Sequence, residues 1–153
     1  MPFAQVNDAR MFYTDEGEGS PVLMVHGWSC DGSDWAWQLP ALKAAGYRCI
    51  TPDLRGHGRS SVPAGGYTPR QYAADLAGLI GQLGCGPVVA IGHSMGGATV
   101  VALAVEQVAR ELELLAADAV PALVWRGVDV PRVSHDLPEP LHTVAVAAGG
   151  GAD

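Results

Sequence analysis

Positive charge is scarce in this 153-residue chain: nine lysines and arginines stand against sixteen aspartates and glutamates, a formal charge of −7. The basic residues are scattered, so no patch hides inside the acidic total. Nucleic acids and anionic membranes are bound through clustered Lys and Arg, and neither is expected as a partner. Cysteine is as sparse. Cys30, Cys49 and Cys85 show no C-x-x-C and no Cys/His spacing, which points to reduced thiols rather than a disulfide framework. No stretch reaches the roughly 18 apolar residues of a membrane helix. The opening "MPFAQVNDARMFYTDEGEG" has neither the basic nor the apolar region of a signal peptide. A cytoplasmic protein is the expectation. No residue cluster has metal-ligand spacing and no G-x-G-x-x-G follows a strand, so neither a metal nor an organic cofactor is implied.

What the chain does have is 48% hydrophobic residues and 20 glycines, a composition that fits many tight strand-to-helix turns. Its length suits one domain, 1–153, of a size that buries roughly 70% of its unfolded surface. "FAQV" and "RMFYTDEG" alternate around Asn7-Asp8 and predict two short antiparallel strands. "PVLMVHG", "YRCITPD" and "PVVAIGH" are continuous apolar runs, the pattern of strands buried on both faces of a parallel sheet. Helical segments lie between them: "SDWAWQLPALKAAGY" with Ser33 or Asp34 as N-cap, "TPRQYAADLAGLIGQLG" with Thr68 as N-cap and Pro69 at the first helical position, and a long helix from Ser94. "VPALVWRGVD" predicts a fourth buried strand, "VPRVSHDLPEP" a loop, and "LHTVAVAAGGGAD" a last short strand. The alternation predicts an α/β fold, a mostly parallel sheet with helices on both faces. Function in such sheets gathers at the carboxyl ends of the strands, where His26-Gly27-Trp28, Asp53 to Ser60 and Ser94 all fall.

"GHSMGG", residues 92–97, follows the third buried run directly. The G-x-S-x-G spacing between strand and helix is that of a nucleophile elbow. The chain must reverse sharply there, and Gly92 and Gly96 carry no Cβ to collide with neighbouring backbone. The turn lifts the Ser94 hydroxyl above the sheet edge. It also sets the Met95 N–H at a helix N-terminus, where it can stabilise a negative oxygen. "VHGW" ends another strand, so Gly27 can shape a turn that aims the Trp28 N–H at the same oxygen.

"VLMVHGWSCDGSDWAWQLPALKAAGYRCITPDLRGHGRSS" followed by "GHSMGG" resembles the α/β-hydrolase superfamily, in particular its esterase, haloperoxidase-like and epoxide-hydrolase-like branches. The likeness is continuous over about 2–105, and 119–147 resembles the late acid-bearing and final strands. A serine elbow, rather than an aspartate, implies ester chemistry over epoxide opening. By this resemblance Ser94 matches the nucleophile, Trp28 and Met95 the backbone oxyanion donors, and Asp53, Arg55 and His57 of "DLRGHGRSS" the residues that brace the loops. Asp129, two residues beyond Gly127, matches the orienting acid; Asp118 is a weaker candidate.

A serine hydroxyl needs a general base. The superfamily places its histidine after the last strand, where this chain has "VAVAAGGGAD". His142 comes before that strand. In a parallel sheet, five or six residues at about 3.3 Å each set it roughly 15 to 20 Å from the carboxyl edge. His93 adjoins Ser94 with its side chain expected to point away from the pocket, which leaves His135, on the loop after Asp129, as the substitute base. The chain resembles a truncated hydrolase fold, with its cap and histidine loop missing. The apolar pocket above Ser94 would then be open to water or covered by a second copy in a homodimer. Two functions remain open: a serine hydrolase acting on small carboxylic esters, and a degenerate hydrolase fold without a base that binds a small apolar ligand.

Overall fold

Asn7 and Asp8 separate two alternating runs, and Asn7 adopts the left-handed conformation (φ 49°) that a tight hairpin turn requires. Strands β1 (Phe3–Val6) and β2 (Ala9–Glu16) pair antiparallel across it, Val6 opposite Ala9. The computed structural model describes residues 2–117 and 143–147 of the chain. In it the three apolar runs form β3 (Ser20–Val25), β4 (Tyr47–Pro52) and β5 (Val89–His93), and a further strand, β6, spans Thr143–Ala147. The sheet order is β1-β2-β4-β3-β5-β6.

The class is α/β, as expected, but the sheet is mixed. Only the centre, β4-β3-β5, is parallel; β2 runs antiparallel to β4, and β6 antiparallel to β5. The β6 register sets Thr143 opposite His93 and Ala147 opposite Val89. An apolar run of five residues carries no information about its direction, so only the pairing partner decides it. The segment containing "VPALVWRGVD" lies outside the described residues.

Helices cover both faces because side chains alternate along each strand. Leu23 and Val25 of β3 and Ile50 of β4 face helices α2 (Pro69–Leu83) and α3 (Met95–Ala117), joining Leu76, Leu79, Val100 and Leu103 in the larger core. Val22, Met24 and Cys49 face the other way, onto Trp35 and the partly buried Leu39 and Leu42. Each fully buried aliphatic side chain contributes about 1.5–3 kcal/mol, and the larger core has far more of them.

Local chemistry sets the helix boundaries. Thr68 caps α2 by accepting the Gln71 N–H, Pro69 opens it, and Gly84 ends it in the left-handed conformation (φ 56°). The segment after β3 departs from expectation. Asp31, not Ser33 or Asp34, is the cap, its Oδ1 accepting the Ser33 N–H at 2.7 Å. A 3-10 turn (Gly32–Trp35) follows, and α1 (Leu39–Ala44) is a separate short helix with Pro40 in its first turn. Pro40 has no N–H to continue the preceding turn, so the helix restarts there. Among the described residues, no helix is long and apolar enough to cross a membrane.

Candidate active site

The chain leaves β3 toward the face of α1 and leaves β5 toward the face of α3. Adjacent parallel strands whose connections depart to opposite faces open a crevice at their carboxyl ends, the usual ligand position in such sheets. Gly27 and Trp28 lie on one side of it and Ser94 on the other.

Ser94 sits between β5 and α3 with φ 52°, a left-handed conformation that costs a residue bearing a Cβ about 1–3 kcal/mol. Close backbone approach on both sides holds it there. A Cβ on Gly92 would strike the Gly96 carbonyl and come within 2.6 Å of the Gly97 N. One on Gly96 would strike the Val25 carbonyl oxygen and stand 2.6 Å from that of His26. The two glycines thus lock β5, α3 and the end of β3 together around an exposed serine. The Ser94 carbonyl accepts the Gly97 N–H at 2.9 Å, starting the helix.

Across the crevice, Ser29 is also left-handed (φ 58°), and the Cys30 N–H bonds back to the Gly27 carbonyl at 3.4 Å. This tight turn presents Trp28, which is 65% exposed. Gly27 faces the elbow: a Cβ placed on it would lie 3.5 Å from the Ser94 Cβ and 3.0 Å from the His93 Nδ1. Two N–H groups belong to these turns: that of Met95 follows Ser94 in the chain, and that of Trp28 follows Gly27. Among the described residues, no protein acceptor takes either one.

The "DLRGHGRSS" loop is bound into the scaffold. Buried Asp53 accepts the Gly32 N–H on Oδ1 and the Arg59 N–H on Oδ2, both at 2.8 Å. Ser60 Oγ donates to the Asp53 carbonyl and accepts the Phe12 N–H. Fully buried Arg55 donates to both oxygens of fully buried Asp75, to Asp8 and to the Gly65 carbonyl. Asp75 holds the guanidinium pKa above its ordinary value. His57 sets Nδ1 3.0 Å from the Arg55 carbonyl oxygen and meets the Trp28 ring edge-on, centroids 5.8 Å apart.

His26, which the sequence places at the turn, has a further part. Its Nε2 accepts the Leu54 N–H at 3.0 Å and its Nδ1 lies 2.8 Å from the Gly27 carbonyl oxygen. Only the neutral ring protonated on Nδ1 can do both. Burial lowers its pKa, in agreement. His26 thereby ties the start of the Gly27–Trp28 turn to the end of β4.

Gly27, Trp28, Ser94 and Met95 are thus brought to one edge. Asp129 and His135 lie outside the described residues, as does His142. The distance expected for His142 assumed a parallel last strand, whereas β6 is antiparallel to β5. In the antiparallel register β6 begins at the carboxyl edge, with Thr143 opposite His93. His93 packs its ring against Gly27. Sequence reasoning missed Asp75, although a signal existed: it shares the buried face of α2 with Tyr72, Leu76 and Leu79, where a lone carboxylate needs a buried cation. Among the described residues, no group of three His, Cys, Asp or Glu side chains could hold a metal ion.

The chain belongs to the alpha/beta hydrolase family, whose pattern matches residues 22–151. It is 45% identical over 101 residues to a non-heme haloperoxidase from Rhodococcus erythropolis, covering 65% of this chain and 37% of that protein. A soluble epoxide hydrolase from Corynebacterium sp. (strain C12) is 35% identical over 128 residues, covering 84% of this chain and 44% of the relative. Among solved structures, an esterase from Exiguobacterium antarcticum superposes with a TM-score of 0.65 at 36% identity, covering 67% of this chain and 39% of the esterase. The chain thus spans well under two thirds of the length of each. These relatives are hydrolases and a haloperoxidase with the same fold.

Proposed function

We propose that this chain carries the nucleophile and oxyanion elements of a serine hydrolase acting on small carboxylic esters. The observation that carries this reading is the strained, exposed Ser94 at the strand-to-helix turn, close to Gly27; among the described residues the N–H groups of Met95 and Trp28, next to these two, have no protein acceptor. In the proposed reaction the Ser94 Oγ attacks the ester carbonyl and a histidine takes its proton. The Trp28 and Met95 N–H groups stabilise the tetrahedral oxyanion, and the same histidine returns the proton to the leaving alcohol. Asp129 orients that histidine. Serine at the elbow supports acyl transfer over epoxide opening: a serine oxygen that opened an epoxide would form an ether that water does not cleave, whereas acyl transfer forms an ester that water hydrolyses.

His135 is the proposed base. His142, which directly precedes Thr143 in the chain, is the competing candidate. None of the described histidines is hydrogen-bonded to Ser94, and both nitrogens of His26 are engaged. That favours a second reading, a hydrolase fold that binds a small apolar ligand without turnover. Fluorophosphonate labelling read by intact mass separates the two. Stoichiometric labelling abolished by Ser94→Ala supports the enzyme, and His135→Ala beside His142→Ala then identifies the base. Folded protein that stays unlabelled overturns it in favour of the second reading.

A further inference from the structure

His57 lies in the loop after β4, and its ring meets those of Trp28, His26 and Tyr72. It stands edge-on to the Trp28 indole with centroids 5.8 Å apart, tilted against His26 at 5.2 Å and edge-on to Tyr72 at 6.2 Å. Tyr72 and His26 are fixed: Tyr72 is buried on α2 in the larger core, and buried His26 has both ring nitrogens engaged. Trp28, by contrast, is mostly exposed.

The His57 backbone is pinned as well. Its N–H donates to the Leu54 carbonyl at 2.9 Å, its carbonyl accepts the Ser60 N–H at 3.0 Å, and its Nδ1 stands 3.0 Å from the Arg55 carbonyl oxygen. Fully buried Leu54 also gives its own N–H to His26. The Gly27–Trp28 turn is therefore referred to Leu54 twice, through His26 before it and through the Trp28 ring on His57. Trp28 needs such an anchor. Among the described residues its N–H has no protein acceptor. Ser29 after it holds a left-handed conformation (φ 58°) of the kind that persists only where its surroundings enforce it. Edge-on packing of two rings is directional, so it restrains the Trp28 Cα–Cβ bond and, through it, the peptide that carries the N–H.

We propose that His57 is a positioning residue, which holds the Trp28 ring and thereby sets where the Trp28 N–H points. The inference rests on the proposed function only in giving that N–H an oxyanion to meet. The "DLRGHGRSS" loop then does more than brace its own scaffold: it carries the rigidity of the core, by way of Tyr72, to the edge of the crevice. This role asks for a ring at position 57 and not for a proton.

Fluorophosphonate labelling should slow by about tenfold in His57→Ala and return to within about twofold of wild type in His57→Phe, whose ring has no proton to transfer. In a Trp28→Ala background His57→Ala should cost nothing further, because the ring through which it acts is gone. Hydrogen exchange reads the turn without any activity. The Cys30 N–H, bonded to the Gly27 carbonyl, should exchange faster in His57→Ala while the amides of α2 keep their rates. If the wild type does not label at all, the hydrolase reading falls and the exchange comparison alone decides the positioning. Unchanged Cys30 exchange overturns the proposal. So does a labelling loss that persists in full in His57→Phe or in the Trp28→Ala background. Should His57→Ala fail to fold, His57→Leu, which fills the space without a ring, takes its place with the same expected outcomes.

Discussion

Gly27 faces Ser94 at the sheet edge: a methyl group on the glycine would just reach van der Waals contact with the serine Cβ, at 3.5 Å. Two segments 67 residues apart in the chain therefore share one surface, with room between them for little more than a methyl group. This closeness, rather than either motif alone, makes the carboxyl edge a candidate site.

Gly27→Ala tests it directly. The new methyl would stand 3.0 Å from the His93 Nδ1, so the imidazole or the Trp28 turn must yield by a few tenths of an ångström. A small displacement of an oxyanion donor weakens catalysis far more than folding. Fluorophosphonate labelling should slow by about tenfold while the urea midpoint changes little.

Gly96→Ala and Gly81→Ala should have opposite signs. At Gly96 a methyl meets the Val25 and His26 carbonyl oxygens, which are fixed backbone, and about 3 kcal/mol or more of stability should be lost. Gly81 lies exposed in α2 with nothing within 4 Å of its added Cβ. There alanine should stabilise by about 0.5–1 kcal/mol through helix propensity, read by urea unfolding.

Asp75→Asn leaves the fully buried Arg55 guanidinium without its main counter-charge. Loss of one partner from a buried pair costs about 3–5 kcal/mol. Asp8, the other acid on Arg55, is 66% exposed, so Asp8→Asn should cost less than about 1 kcal/mol. Comparing the two urea midpoints checks the assignment.

His26 imposes a pH dependence with a definite sign. Its folded pKa lies below the ordinary 6.5 because it is buried. The stabilisation is complete above 6.5; as pH falls below it, the unfolded chain gains a proton that the folded chain does not. Stability should then drop, by up to about 1.4 kcal/mol per pH unit, until the folded ring itself titrates. His26→Asn, which cannot titrate, should show a flatter profile than wild type in urea unfolding between about pH 8 and 5.

Much of this is legible in the residues because it is local. A left-handed Asn7, a proline opening α2 behind Thr68, and glycines around Ser94 are demands of single turns, met by residue type within a few positions. After β3 the sequence misleads through a competition between caps: Asp31 reaches the free N–H first, and Pro40 divides the segment. The Arg55–Asp75 pair is half legible, as a carboxylate on an apolar helix face. Its partner, 20 residues earlier in a loop, cannot be assigned from spacing.

The sequence by itself determined strands β1 to β5, helix α2, the start of α3 at the elbow, and the family, since backbone strain and strand burial are written in residue size and polarity at short range. Tertiary structure alone decided the direction of β6, the closeness of Gly27 to Ser94, the neutral His26 bridge and the Arg55–Asp75 pair. Each depends on which surfaces meet across the sheet. That outcome is set by total burial and hydrogen-bond satisfaction over the whole fold, not by any one segment.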